Sequence, residues 1–312
     1  MTSVSEKKAI MDLRQSFKAN DDRRDAGLPT EVPGVKRVND LSYGSERPWH
    51  LLDLYLPIGV SKPIPTIINI HGGGWCYGTK ETYQFFGLNW AQRGFAFVNP
   101  NYRLAPDVAF PDQLDDVDAY VHWVAEHAEE YGLDPNNVIL MGDSAGGQMA
   151  EQYATILTNP DYRSLFGYTL TKLHFRALVL NSAALFMLDP GMVTAAGAGY
   201  FPPEIVTTQR QRLATEDYLQ APFIPTFICT GNTDFLRNNS AKMDGFMTAK
   251  GISHVFKMYG TPEVPQGHVF LVDQKNAVGQ HANDDEEAFL RAYLVNTPDW
   301  LTALNLDDRT LK

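Results

Sequence analysis

Residues 138–157 constrain this chain more than any other stretch. An apolar run, Val138-Ile139-Leu140-Met141, leads into Gly142-Asp143-Ser144-Ala145-Gly146, and a helix-compatible run, 148–157, follows at once. A G-x-S-x-G pentapeptide between a buried strand and a helix forms a tight elbow. Small flanking glycines let the backbone turn and hold the serine clear of the sheet. The helix behind it aims its N-terminal amides at charge developing beside the hydroxyl. Serine also caps helices for purely structural reasons; the strand in front of it is what favours a nucleophile. Such an elbow needs a sheet with helices packed on it, so the remaining sequence should alternate strands with helices.

It does. Short apolar runs bounded by Gly, Pro and Asn predict strands at 35–43, 51–56, 66–71, 96–101, 138–142, 177–181, 225–230 and 254–259. The central runs are nearly continuous, as strands buried on both faces are. Leu52, Leu54 and Leu56 alternate instead, which predicts an edge or half-buried strand. A helix is expected over 111–131, where Leu114, Val117, Val121, Val124 and Ala128 form one stripe and Gly132 ends it. Others are expected at 82–93, 145–157, 239–250 and 284–294. The expectation is one α/β domain over 1–312: a mostly parallel eight-stranded sheet with helices on both faces. Two segments fall outside the rhythm. Residues 1–34 carry a helical stripe (Ile10, Leu13, Phe17), and residues 187–221 interrupt the chain between the sixth and seventh strands as a candidate cap.

Composition narrows the partners. With 26 Lys+Arg against 37 Asp+Glu the net charge is −11, and nucleic acid and anionic lipid both require a basic face. The N-terminal residues lack the apolar core of a signal peptide, and no run approaches the ~20 apolar residues of a membrane span. A cytoplasmic protein is expected, with association into a homo-oligomer left open. Cys76 and Cys229 form no CxxC; a disulfide between them is left open.

His71-Gly72-Gly73-Gly74-Trp75 follows the third strand. Three glycines let the backbone pass close to a ligand and turn its N–H groups inward, as acyl transfer needs where a carbonyl oxygen becomes negative. The glycines continue to Gly78-Thr79-Lys80, but a phosphate loop orders its last residues G-K-[ST], and here Lys follows Thr.

Three segments in this order, His71–Trp75, Tyr102-Arg103-Leu104-Ala105-Pro106 and Gly142–Gly147 (GDSAGG), resemble the hormone-sensitive-lipase-like carboxylesterases. They also resemble the related acetyl and feruloyl esterase branch of the α/β-hydrolase fold. The resemblance covers about 51–268. It implies an oxyanion hole from the amides of Gly73, Gly74 and Ala145, and a supporting role for Arg103. In this fold the acid follows the seventh strand and the histidine the eighth. Asp234, in Gly231-Asn232-Thr233-Asp234-Phe235-Leu236, resembles the family's G-x-x-D-x-L segment; an Asx-turn is its plain alternative, and Glu263 is the runner-up. His268, in Gln266-Gly267-His268-Val269-Phe270, resembles the family's G-H-G-F-like segment with Val269 in the glycine's place. His254 opens a strand and reads as packed, and His281 reads as exposed.

The implied chemistry is serine-dependent hydrolysis of short acyl or aryl esters through an acyl-enzyme, with Ser144, Asp234 and His268 catalytic. Neither metal nor organic cofactor is required; His122 and His127, five apart, do not form HExxH. Trp75, Tyr77, Phe186 and Met187 are candidate substrate-binding residues. Two alternatives remain: an amidase such as an arylformamidase, and a non-catalytic binding protein on the same fold. HGGGW, where formamidases tend to show HGG-Tyr-Trp, favours the ester. An intact triad favours catalysis over mere binding.

Overall fold

The computed structural model describes residues 4–193 and 195–295. Its centre is one eight-stranded sheet in the order β1-β2-β4-β3-β5-β6-β7-β8. The strands are β1 Val35–Ser42, β2 Leu51–Pro57, β3 Ile64–Ile70, β4 Ala96–Pro100, β5 Leu133–Asp143, β6 Phe175–Asn181, β7 Thr226–Gly231 and β8 His254–Tyr259. The β1/β2 and β2/β4 pairs are antiparallel and the rest parallel. The expected fold is therefore present.

Residue alternation divides the core in two. Ile68, Leu140, Leu178 and Ile228 enter one apolar cluster, while their neighbours Ile67, Ile139, Val179 and Phe227 enter the cluster on the other face. Each such side chain contributes ~1.5–3 kcal/mol relative to exposure, and strands feeding two cores read as unbroken apolar runs. Helices α3 Asp112–Tyr131, α4 Ser144–Thr158 and α8 Arg237–Lys250 supply the first cluster. Helices α2 Gln84–Gln92 and α9 Ala277–Tyr293 supply the second. Gly132 ends α3 in the left-handed conformation, its N–H shared between the carbonyls of Ala128 and Glu129.

β2 departs from the expectation. It is not half-buried: all seven residues are buried, because β1 and β4 pair with its two sides. The polar residue that produced the apparent alternation, Asp53, is buried against the Lys80 ammonium at 2.9 Å. Arg103 does support the fold: its guanidinium grips Asp116, with Nη2–Oδ1 at 2.7 Å, and also reaches the Asp112 carbonyl. Both cysteines are buried free thiols. His122 and His127 turn to different partners, the carbonyls of Thr169 and Trp123.

Two regions stand over the C-terminal ends of the strands. The first is helix α1, Val4–Asp25. Arg14 fastens it, donating to the carbonyls of Cys76 (2.7 Å) and Ala105 (2.8 Å). The second lies between β6 and β7 and, among the described residues, holds only short elements: a 3-10 turn at Ala195–Gly199, α6 Pro203–Thr208, α7 Arg210–Leu213 and a 3-10 turn at Thr215–Asp217. A further short helix, α5 Pro160–Ser164, follows α4.

Candidate active site

β5 ends at Asp143, and α4 begins at Ser144 with φ +50°. A left-handed serine is strained, and strained residues cluster at functional sites. The turn leaves no room at Gly146: a Cβ there would lie 1.9 Å from the Ile70 carbonyl oxygen of the adjacent strand. The last glycine of the motif therefore lets α4 sit directly on β3.

Ser144 Oγ lies 2.9 Å from His268 Nε2, and His268 Nδ1 lies 2.9 Å from Asp234 Oδ1. The three residues come from the ends of β5, β8 and β7. Asp234 is fully buried. Burial pushes its carboxyl upward, yet His268, the Ser182 hydroxyl and the Leu236 N–H together hold it below its ordinary value. Thr230 donates to its other oxygen at 3.1 Å. A carboxylate so held stays ionised and orients the imidazole with Nε2 toward the serine. Glu263, by contrast, is exposed. His254 is occupied by the Ile252 carbonyl and Asp244, and His281 is exposed beside Asp285.

Opposite the serine runs the glycine loop. Gly73 has φ +122° and Gly74 φ +60°, and neither amide donates a hydrogen bond among the described residues. The loop is held from behind: Gly72 N–H donates to Asp143 Oδ1 at 3.0 Å, and Tyr83 Oη donates to Asp143 Oδ2 at 2.7 Å. His71 is stacked between Tyr83 and Tyr102, and burial lowers it to about 4, so its ring is neutral. Burial also raises Asp143 to about 6, against the pull of Tyr83, His268 and the Gly72 amide. The site therefore juxtaposes a hydroxyl, an imidazole held by a carboxylate, and unpaired backbone donors, an arrangement suited to acyl transfer.

A cavity of about 1000 Å³ opens over Ser144, lined by both overlying regions as well as by the loops that follow β3, β7 and β8. Trp75 and Tyr77 line it. Phe186 and Met187 do not: both side chains are buried in the core. The Phe186 N–H is tied to Glu216 and its ring lies under the Lys242 ammonium, so the chain turns these two inward. The sequence reading missed Tyr83, Ser182 and the cavity-facing residues of α1. Tyr83 and Ser182 belong to no motif, and only the i, i+4 spacing of Leu13 and Phe17 hinted at the α1 face.

The sheet, elbow and loops define an α/β-hydrolase. The BD-FAE family model matches residues 52–176. Carboxylesterase NlhH of Mycobacterium tuberculosis is 30% identical over 257 residues, covering 79% of this chain and 80% of that protein. Arylacetamide deacetylase of Bos taurus is 39% identical over 117 residues, covering 35% of this chain and 29% of that protein. Among solved structures, an inhibited esterase B from Lactobacillus rhamnosis superposes with a TM-score of 0.83 at 24% identity, covering 93% of this chain and 96% of that one. At that identity the likeness carries the fold. The chain belongs to the hormone-sensitive-lipase-like esterase family, and it is a carboxylic ester hydrolase. No helix among the described residues is long and apolar enough to cross a membrane.

Proposed function

We propose that this protein hydrolyses short-chain acyl or aryl esters, of acetyl or feruloyl type, through an acyl-enzyme on Ser144. The observation that carries the proposal is the continuous relay Asp234–His268–Ser144, with both contacts at 2.9 Å. His268 Nε2 takes the Ser144 proton as Oγ attacks the ester carbonyl. The oxyanion then rests on the amides of Gly73, Gly74 and Ala145, each worth ~3 kcal/mol in comparable enzymes. His268 returns the proton to the leaving alcohol. Water then repeats the sequence on the acyl-enzyme and frees the acid and the serine. Asp234 stays ionised throughout and stabilises the imidazolium. In this reading α1 and the residues before β7 act as a lid that limits the chain length the cavity accepts.

The test is hydrolysis of p-nitrophenyl acetate, butyrate and octanoate by the wild type and Ser144→Ala in parallel. Serine-dependent turnover that falls from butyrate to octanoate is expected. Turnover equal in the two proteins would overturn the assignment of Ser144.

A further inference from the structure

The turn that leaves β6 reaches all three residues of the relay. β6 lies between β5, which runs into Ser144, and β7, which runs toward Asp234. Ser182, the first residue of the turn, donates its N–H to the Cys229 carbonyl of β7 at 2.7 Å. Two residues on, the Ala184 N–H donates to the Ser144 carbonyl at 3.0 Å. Ala183 between them packs on α4, so closely that a Cβ on Gly147 would lie 2.5 Å from its methyl. The Ser182 hydroxyl takes up the other two positions. It accepts the Val269 N–H, next to His268, at 3.2 Å, and it hydrogen-bonds Asp234. A hydroxyl has one proton to give. The Val269 amide is a donor, so that proton goes to the Asp234 carboxylate.

Val269 shows why the bond matters. Its φ is +56°, a conformation rare for a β-branched side chain, and the family segment it resembles has glycine there. Ser182 itself stands at φ +50° and is fully buried. Strained residues keep their conformation only where their surroundings over-determine it, and the bond to Ser182 supplies that restraint. Resting on the relay proposed above, we infer that Ser182 is a positioning residue for it: one hydroxyl ties the acid loop to the histidine loop and references both to β6. Thr230 and the Leu236 N–H also donate to Asp234, so the carboxylate has other partners. What Ser182 adds is the link to the backbone beside His268.

The test removes the hydroxyl in two ways, Ser182→Ala and Ser182→Gly. Glycine suits φ +50° and so guards against a fold defect. Thr230→Val takes a different donor from Asp234 and leaves the Val269 bond in place. All are assayed on p-nitrophenyl butyrate, per active site titrated with a fluorophosphonate. Both Ser182 variants should lose about tenfold in kcat with KM within about twofold, because the imidazole is displaced and the substrate is not. Their kcat/KM should also decline about half a pH unit earlier on the acid side, since a carboxylate with one donor fewer holds the imidazolium more tightly. Asp143, which acts on His268, and the Cys229 thiol, which faces Asp234, are unaltered in every variant. Thr230→Val should share the pH shift but lose less than about threefold in kcat. Ser182→Gly with wild-type kcat and an unmoved acid limb overturns the inference. So does an equal kcat loss in Thr230→Val, which would reduce Ser182 to one more donor to Asp234. In the wild type the Val269 amide should exchange slowly with deuterium; exchange at the rate of an open loop overturns the inference without any variant. These outcomes leave the catalytic reading standing, whereas hydrolysis that persists in Ser144→Ala would sink both.

Discussion

The floor and the roof of the cavity are built by different means. The floor consists of strand ends and the turns that leave them: Ser144 after β5, Asp234 after β7, His268 after β8. The side chains of Ser144, His268 and Asp234 are hydrogen-bonded to one another and its backbones touch, as where Gly146 meets Ile70. The roof consists of one mostly polar helix and a run of short turns, joined to the floor by a few side-chain bonds such as those of Arg14. The contrast teaches that the floor is a frame largely encoded by local motifs, whereas the roof depends on packing between segments remote in sequence.

Changes in the floor should cost most. Asp234→Asn should lower kcat by about 10⁴, since an amide favours the wrong imidazole tautomer, with KM little altered; steady-state kinetics on p-nitrophenyl butyrate checks this. A loss under tenfold would show that Asp234 does not orient His268. Next, Gly146→Ala should destabilise the fold by about 3 kcal/mol or more, because the new methyl meets backbone that cannot retreat. A urea midpoint equal to wild type would mean that α4 moves freely on β3.

Asp143 sharpens the comparison through pH. Burial raises its carboxyl from 3.8 to about 6 in the folded state, so the folded protein binds this proton more tightly than the unfolded chain. The stability it contributes is complete below pH 3.8 and is lost as pH rises through about 6. Asp143→Asn has no proton to lose, so wild type should weaken relative to the variant by about 2 kcal/mol between pH 4 and 7. Parallel urea curves across that range would rule out a desolvated carboxylate.

The roof should respond least. Phe17→Ala should raise KM by about tenfold while kcat stays within about threefold, since it removes binding without touching the reacting atoms. An equal collapse of kcat would erase the distinction between floor and roof.

The same contrast governs what the sequence disclosed. The sheet and the elbow were legible because strands feeding two cores read as apolar runs, and the serine lies in a local motif. Asp234 and His268 were legible through chain order after the seventh and eighth strands. β2 was misjudged because Asp53 mimics a solvent-facing residue until Lys80 arrives from another strand connection. Phe186 and Met187 were misplaced because the Glu216 and Lys242 contacts that turn Phe186 inward come from distant segments. Tyr83 and Asp143 hold the glycine loop across 60 residues, a relation no local spacing reveals.

The most direct test of the central claim is stoichiometric labelling with a fluorophosphonate, followed by mapping of the modified peptide in wild type, Ser144→Ala and His268→Ala. The relay predicts one equivalent on Ser144 in the wild type, none in Ser144→Ala, and greatly slowed labelling in His268→Ala. One equivalent persisting in Ser144→Ala, or undiminished labelling without His268, would contradict it.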